Sequence, residues 1–365
     1  MNAPATKLGR SYERIAVVRA LQLGDLLSAI PAFRSLRAGF PSAEITLIGL
    51  PWAQWLVQRV HQYIDHFVEF PGFSGIDEVE YVEERAERGC EALRDAKYDL
   101  IVQLHGSGQA SNRFVQAIAQ PGSQTAGYFV GERPEFLTFA APYPDDQPEV
   151  LRNLKLMRLL GCPDTGCALE LPLLASDQAA ANELLAPLTS TFEASRPLIG
   201  IHAGSRSPAR RWPPERFALV ADHLAYAHGA RILLTGSPEE EVLAAEVASR
   251  MRTPVLNLAG KTSLGGLAAL IARLDLFISN DTGPAHLANA VDTPSVTIFG
   301  PAEFLRWAPL DQRRHAIVRR PVACSPCPHW ICPIDHRCLR WIAPDDVIAA
   351  AERQLVKESV HSCDD

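Results

Sequence analysis

The chain has 365 residues, of which 47% are hydrophobic and 21% are charged, and its formal net charge is −7. These values are typical of a globular protein large enough for two domains with hydrophobic cores. The acidic balance argues against general nucleic-acid binding, and no apolar run is long enough to span a bilayer. The first ten residues contain no apolar signal core, so we interpret them as a loose tail and expect a cytoplasmic protein.

Strand-like and helix-like patterns alternate in the first half of the chain. The predicted strands are 14–19, 44–50 and 99–104. The predicted helices are 25–38, 77–96 and 151–160. Asp25 is in position to cap the first helix, and Pro31 should bend or interrupt it. The Pro- and Asp-rich stretch 140–149 is predicted to be a loop.

A second alternation begins after residue 197. Its predicted strands are 198–202, 231–235, 255–258, 276–279 and 295–299, and its predicted helices are 214–226, 239–251, 264–273 and 284–290. This pattern predicts two doubly wound α/β domains, at 1–180 and 195–345, with a C-terminal helix and tail at 346–365. A hinge is expected near 175–197, where Ala, Ser and Pro cluster. Ligands of two such domains are expected in a shared cleft at the carboxyl ends of the strands.

The strand predicted at 276–279 leads into Asp281, Thr282 and Gly283, and a small-residue helix follows. A helix N-terminus directly after a strand offers backbone N–H groups and a favourable dipole to a phosphate. His286 lies one turn further along and can face the same point. Asp and Thr are also common N-cap residues, so a capped helix without a ligand is the alternative interpretation.

A second cluster suited to anions follows the strand at 198–202. Ser205 offers a donor at the strand end, and Arg206, Arg210 and Arg211 supply positive charge for a pyrophosphate. The alternative is a basic surface loop. The position at the end of a strand favours a binding role.

The third strand-to-helix junction contains Glu239, Glu240 and Glu241. A carboxylate here could bind ribose hydroxyls, as acidic residues do in other nucleotide-binding folds. Glutamates also stabilise helix N-termini, and that alternative explains the cluster as well.

Asp25 follows the first predicted strand. As a general base it would take a proton from an acceptor hydroxyl, provided that it faces the cleft. Its alternative role is that of an N-cap.

Four of the eight cysteines, Cys324, Cys327, Cys332 and Cys338, lie within fifteen residues. In a cytosolic protein such a cluster suggests metal or redox chemistry before structural disulfides. The spacing is not that of a standard zinc ribbon or finger, so zinc, a disulfide pair and free thiols all stay open. A structural role is favoured over a catalytic one.

Five ordered segments and the cysteine cluster together resemble glycosyltransferase family 9, the ADP-heptose:lipopolysaccharide heptosyltransferases. The matching segments are 14–38, 200–217, 236–248, 257–274 and 279–290, followed by the Cys-Ser-Pro-Cys…Cys-Pro…His-Arg-Cys stretch. The resemblance covers nearly the whole chain.

The resemblance implies a GT-B fold, in which two Rossmann-like domains face a central cleft, with the acceptor in the N-terminal domain and the donor in the C-terminal one. It implies inverting transfer of a heptose from ADP-heptose, or a related nucleotide sugar, to a lipid-linked core oligosaccharide. Asp25 matches the proposed general base of the family. The implied donor-binding residues are Ser205, Arg210, Glu240, Thr262, Asp281, Thr282, Gly283 and His286. Arg210 departs from the family, in which Lys is frequent at this position.

No Asp-x-Asp motif is present, so metal-independent catalysis without a required cofactor is expected, with structural zinc at the cysteine cluster kept as an option. The lipid-linked acceptor implies peripheral contact with the inner membrane. No acceptor-binding residue is assigned, although the loops 105–109 and 127–135 are expected to set acceptor choice. The competing hypotheses are another GT-B nucleotide-sugar enzyme, with a different sugar donor or 2-epimerase activity, and a non-catalytic nucleotide- or metal-binding scaffold.

Overall fold

A computed structural model of the chain describes residues 11–189 and 196–361. The tail expected at 1–10 and the last four residues of the tail expected at the C-terminus lie outside this part. The chain divides into two compact units, Met1–Leu169 and Glu170–Asp365. The first unit ends before the expected position 180, because the helix Ala175–Thr189 packs against the helix Leu264–Ile271 of the second unit. The stretch expected as a hinge is therefore helical up to 189, and 190–195 lie outside the described residues.

The first unit alternates strands and helices as its sequence pattern indicates. Its strands are β1 Arg14–Val18, β2 Glu44–Gly49, β3 His66–Glu69, β4 Leu100–Gln103, β5 Gln124–Phe129 and β6 Phe139–Pro142. Its helices are α1 Leu23–Leu27, α2 Ile30–Gly39, α3 Ala53–Arg59, α4 Glu83–Asp95, α5 Ser111–Ile118 and α6 Glu149–Leu159.

The second unit repeats this organisation. Its strands are β7 Leu198–His202, β8 Arg231–Thr235, β9 Val255–Asn257, β10 Leu276–Asn280, β11 Ser295–Phe299 and β12 His315–Arg319. Its helices are α7 Ala175–Thr189, α8 Pro214–His228, α9 Glu241–Arg250, α10 Leu264–Ile271, α11 Gly283–Ala290, α12 Phe304–Trp307, α13 Arg337–Arg340 and α14 Pro344–His361. Among the described residues, no helix is both long and apolar enough to cross a membrane.

Each unit contains one six-stranded parallel sheet. The strand orders are β3-β2-β1-β4-β5-β6 and β12-β11-β10-β7-β8-β9, so both sheets have the doubly wound Rossmann topology. The order reverses between β1 and β4 in the first sheet and between β7 and β10 in the second. Loops that follow these strand pairs open a crevice at the carboxyl edge, which is where such folds bind ligands.

The central strands are apolar on both faces because helices cover both sides of each sheet. Every residue of β7 and of β10 is buried. In the second unit Trp212 and Phe217 pack edge to face with ring centroids 5.0 Å apart, and both are fully buried. This packing fixes the segment between β7 and α8. That segment contains residues 205–211, the arginine-rich loop.

Three predicted elements of the first unit need correction. The helix predicted at 25–38 is two helices, since Pro31 lies in the first turn of α2, and the prediction that it interrupts the helix is confirmed. Asp25 lies in the first turn of α1, whose N-cap is Gln22, so the N-cap alternative for Asp25 is wrong. The helix predicted from 77 begins at Glu83, because Val82 has an extended backbone. The loop predicted at 140–149 begins with three residues of β6.

The strands that the pattern misses are mainly those at the sheet edges. Strands β3, β6 and β12 each close one edge, and their residues are largely half-buried. An edge strand has less apolar surface to cover, so the apolar runs in these three sequences are too short to predict a strand. By contrast, the strands predicted at 198–202, 231–235 and 295–299 are found with the same bounds.

Candidate active site

In the second unit, only two residues separate the end of β10 from the start of the helix that follows it. Strand β10 ends at Asn280, and α11 begins at Gly283 with Pro284 in its first turn. Thr282 takes the N-cap position with an extended backbone, yet its side chain makes no capping hydrogen bond. The capped-helix alternative therefore does not account for the Thr282 hydroxyl. This half-buried hydroxyl and the helix N-terminus form a point suited to an anion.

Asp281 and Arg210 form an ion pair at this junction. Arg210 Nη1 lies 3.2 Å from Asp281 Oδ2; the carboxylate is buried, while 40% of the arginine side chain is exposed. Burial raises the pKa of Asp281 to about 6, and the nearby Arg210 guanidinium opposes that rise. A buried carboxylate would repel a phosphate if it faced one directly. Asp281 therefore serves to orient Arg210, which keeps exposed surface for an anion.

His286 lies one turn into α11 and is half-buried. Burial lowers the pKa of His286 to about 4, and the positive charge of Arg210 adds to the effect. The imidazole is thus neutral near pH 7 and acts as a hydrogen-bonding group rather than as a cation. Its ring packs edge to face against Trp307, with centroids 6.0 Å apart, which fixes its orientation.

Glu240 lies across the end of β7. The backbone N–H of Ser237 donates to Glu240 Oε2 at 2.9 Å, which completes a capping box, so the expected helix-stabilising role is present. The same oxygen lies 3.5 Å from Nε2 of His202, a buried imidazole whose pKa burial lowers. A Cβ added at Gly204 would come within 2.2 Å of the Glu240 carboxyl group. The absence of a side chain at Gly204 is therefore what lets this carboxylate reach the strand end.

Ser205 and Thr262 complete the predicted donor residues. Ser205 is buried, and its carbonyl accepts a hydrogen bond of 2.8 Å from Nε of Arg211. Thr262 is half-buried and precedes Ser263, the N-cap of α10, in the loop after β9. Because β9 is the third strand from β10, the two loops begin about 14 Å apart at ordinary strand spacing. The structure thus spreads the predicted residues along the edge rather than collecting them at one point.

Asn280 is a buried residue to which the sequence analysis assigned no role. Its Nδ2 donates to the carbonyl of Ala203 at 2.7 Å, and its Oδ1 accepts from the backbone N–H of Trp212 at 3.0 Å. These bonds join the end of β10 to both ends of the arginine-rich loop. The signal available in sequence was a polar residue at the last position of an otherwise apolar strand.

The cysteine-rich segment supports the same loop. The carbonyl of Trp330 accepts from the N–H of Ala209 at 3.1 Å and from the Ser207 hydroxyl at 3.0 Å. Nε2 of His336 lies 2.5 Å from the carbonyl of Ala209. The segment therefore holds the backbone that precedes Arg210.

No two of the four cysteines of this segment form a disulfide with each other in the structure. Cys338 is buried, and burial raises the pKa of its thiol to about 11, with smaller contributions from Cys332, Cys324 and Cys327. The other three thiols are thus close enough to the buried Cys338 thiol to influence its pKa. Zinc binding by this set stays a prediction.

The first unit has its own junction at the switch point of its sheet. Asp25 is half-buried in the first turn of α1, directly after β1. Just after the neighbouring strand β4, Nδ1 of His105 accepts a hydrogen bond of 3.2 Å from the backbone N–H of Ala20. His105 Nε2 lies 3.6 Å from a carboxylate oxygen of Glu78. The junction thus brings a carboxylate and an imidazole to one end of the first sheet.

A buried arginine fixes the backbone of Asp25. Arg19 is fully buried, and its Nε and Nη2 donate to the carbonyl of Asp25 at 2.9 and 2.6 Å. Its Nη2 also lies 2.9 Å from Glu149, which pairs on its other side with Arg152 at 3.1 Å. The sequence pattern did not predict this network. It indicated only that Arg19 ends a strand, and Glu149 and Arg152 are too distant in sequence to be recognised as its neighbours.

Comparisons with known proteins agree with this architecture. The family model of glycosyltransferase family 9 (heptosyltransferase) matches residues 87–337. A lipooligosaccharide heptosyltransferase 2 of Campylobacter jejuni is 34% identical over 44% of this chain and 52% of its own length. The chain thus spans about half the length of this relative. A lipopolysaccharide heptosyltransferase 2 of Salmonella typhimurium is 28% identical over 83% of this chain and 87% of its own.

Among solved structures, the glycosyl transferase family 9 protein of Veillonella parvula superposes with a TM-score of 0.81. The identity is 25%, and the match covers 96% of this chain and 99% of the other. The two six-stranded parallel sheets and the match to this structure identify the GT-B fold. The chain belongs to glycosyltransferase family 9, the heptosyltransferase family.

Proposed function

We propose that this protein transfers a heptose from ADP-heptose to an inner-core sugar of lipopolysaccharide, with inversion at the anomeric carbon. Family membership and the names of its relatives support the sugar and the acceptor. The observation that carries the proposal is Arg210 held beside the N-terminus of α11 by the buried Asp281. A guanidinium group and a helix N-terminus together stabilise the negative charge that develops on a departing diphosphate.

The donor is proposed to lie along the carboxyl edge of the second sheet. Arg210 and the N–H groups at Gly283 bind the diphosphate, with the Thr282 hydroxyl and the neutral His286 as further donors. Glu240, in the turn that follows β8 two strands away from β10, accepts hydrogen bonds from the ribose hydroxyls. The spread of these residues suits an elongated nucleotide sugar better than a compact anion. Ser205 and Thr262 supply hydroxyls at the remaining strand ends.

The proposed reaction is a single displacement. The Asp25 carboxylate takes the proton of the acceptor hydroxyl as its oxygen forms a bond to the anomeric carbon. The bond from that carbon to the β-phosphate oxygen breaks, and its electron pair leaves with ADP. Arg210 and the helix dipole of α11 neutralise the charge that develops on ADP, so this proposal assigns no step to a metal ion or cofactor.

The acceptor and location follow from the same proposal. A lipid-linked core oligosaccharide places the reaction at the cytoplasmic face of the inner membrane, with the protein in peripheral contact. The loops at 105–109 and 127–135 are the proposed determinants of acceptor choice. Of these, His105 lies beside the junction that carries Asp25.

The test is ADP release measured with a panel of nucleotide sugars and truncated lipopolysaccharide acceptors. We expect release only with ADP-heptose and a truncated core acceptor, and no requirement for added divalent metal ions. Release with another nucleotide sugar, or conversion of the donor without an acceptor, would instead favour a different transferase or a 2-epimerase. Binding of ADP without turnover would favour a nucleotide-binding scaffold.

A further inference from the structure

Two histidines and a glutamate converge where two helices of the second unit meet. His223 and His228 lie on α8, and Glu352 lies on α14. Glu352 Oε1 is 3.0 Å from Nε2 of His223 and 3.2 Å from Nε2 of His228, and one ligand atom from each residue lies within 4.8 Å of the others. We propose that this trio, the α8–α14 clasp, binds a divalent transition-metal ion of the zinc type.

The donor set fits such an ion. Two imidazole nitrogens and one carboxylate oxygen are ligands that zinc and neighbouring divalent ions accept, and three protein ligands leave positions for water. Bonds of about 2.0–2.1 Å at angles between octahedral and tetrahedral place two ligand atoms about 2.9–3.4 Å apart. The two oxygen–nitrogen distances fall in this range. An ion can therefore replace the two hydrogen bonds with small movements of the side chains.

The helices that carry the ligands are fixed by the core. Phe217 and Leu224 of α8 and Val347 and Ala351 of α14 are buried in the same hydrophobic cluster. The ligand side chains stand at the rim of this contact, with 31–41% of their surface exposed. An ion thus reaches the clasp from solvent, and binding it does not require the core to move.

The clasp is separate from the strand-end site. Its residues lie on α8 and α14, whereas the proposed donor residues lie in the segments after β7, β8 and β9 and in the segment from the end of β10 to the first turn of α11. The consequence of metal binding is accordingly structural. A bound ion joins the C-terminal helix to α8 and stabilises the folded protein in proportion to its occupancy.

The experiment uses the full-length protein after removal of metals with a chelator, titrated with Co²⁺. Cobalt bound by nitrogen and oxygen gives ligand-field absorption alone, whereas cobalt bound by thiolates adds charge-transfer bands, so binding at the cysteine segment is distinguished. We expect one equivalent without charge-transfer bands. His223→Ala and His228→Ala should each weaken this binding by at least about tenfold, and the exposed His66→Ala is the matched control.

Thermal unfolding gives a second readout. Co²⁺ should raise the unfolding midpoint of the wild type and of His66→Ala by more than that of the two clasp variants, in which only the cysteine segment could still bind it. Both clasp histidines are partly exposed, so we expect their variants to fold. The proposal is overturned if every bound cobalt shows thiolate bands, or if the nitrogen-ligated equivalent survives in both clasp variants. The clasp residues are not among the proposed donor-binding residues. ADP release by the clasp variants should therefore equal that of the wild type, whichever nucleotide sugar the enzyme uses.

Discussion

Asp281 and His286 lie within two turns of each other and depart from their ordinary pKa values in opposite directions. Burial raises the pKa of Asp281 to about 6 and lowers the pKa of His286 to about 4. Both shifts disfavour the charged side chain. At pH 7 Asp281 is still mostly ionised and pairs with Arg210, whereas His286 is neutral, so the exposed part of the Arg210 guanidinium is the positive group that the proposed phosphate site offers.

The pH dependence of stability should report on His286. Its folded pKa is depressed, so its contribution to stability is complete above pH 6.5 and is lost as the pH falls towards 4. Over this window the wild type should lose roughly 1–3 kcal/mol relative to His286→Asn, the range allowing for a partly exposed ring. Urea unfolding at several pH values checks this, with His66→Asn as control. Parallel profiles for the wild type and His286→Asn would contradict the burial of a neutral imidazole.

Gly204 is expected to be intolerant of any side chain. A methyl group there would meet the Glu240 carboxyl group at 2.2 Å, so Gly204→Ala must displace that group or the loop. We expect a loss of about 1–3 kcal/mol in the free energy of unfolding and weaker ADP binding. The double variant with Glu240→Ala removes the clash and should recover the stability of Glu240→Ala alone. Equal losses in Gly204→Ala and the double variant would argue against this contact.

At the scale of elements, the Arg19–Glu149–Arg152 network joins β1 and α1 to α6. Removing one member of a buried ionic network leaves uncompensated charge and costs about 3–5 kcal/mol. We expect Arg19→Met to lower the free energy of unfolding at or just below this range, since Arg152 still pairs with Glu149. Arg158→Met, which removes an exposed ion pair with Asp164, should change it by less than about 1 kcal/mol. Denaturant unfolding of both variants tests the difference, and equal losses would contradict the structural role of Arg19.

The cysteine segment is the second element whose role can be tested directly. If its four thiols bind zinc, the isolated protein contains thiolate-ligated metal that Cys327→Ser and Cys332→Ser remove, whereas the exposed Cys167→Ser retains it. Because Trp330 and His336 hold the loop of Arg210, loss of the metal should also weaken ADP binding. Elemental analysis with thiol titration of the folded protein checks this. Four freely reactive thiols in a metal-free protein that binds ADP normally would exclude the zinc role.

The sequence pattern predicted central elements better than peripheral ones. Strand β7 is uniformly buried and has the predicted bounds, whereas the edge strand β3 left no apolar run to detect. The helix predicted from 77 begins at Glu83, because Val82 has an extended backbone. Local composition cannot show which neighbouring element a segment packs against, and this is why α7 was read as part of a hinge.

At the scale of the whole molecule, the two units have the same sheet topology. The sequence predicted both sheets and the junctions that carry Asp25 and Gly283, because strand-to-helix transitions are local patterns. It did not predict Arg19, Asn280 or His202 as supporting residues. Their partners come from distant positions, and only the folded chain brings them together.

The division into units makes the central claim testable. Asp25 belongs to the first compact unit, whereas Arg210 and α11 belong to the second. Removing the proposed base should therefore leave ADP binding intact. Asp25→Asn keeps the shape of the side chain, and loss of a general base lowers the rate by about 10²–10⁴-fold.

The most direct measurement is acceptor-dependent ADP release from ADP-heptose by the wild type and Asp25→Asn, with ADP affinity measured on both proteins. We predict turnover by the wild type, a fall of at least about a hundredfold in the variant, and equal ADP affinities. Turnover that persists in Asp25→Asn would contradict the role of this carboxylate as the base. No turnover by the wild type with any core acceptor would contradict heptosyl transfer itself.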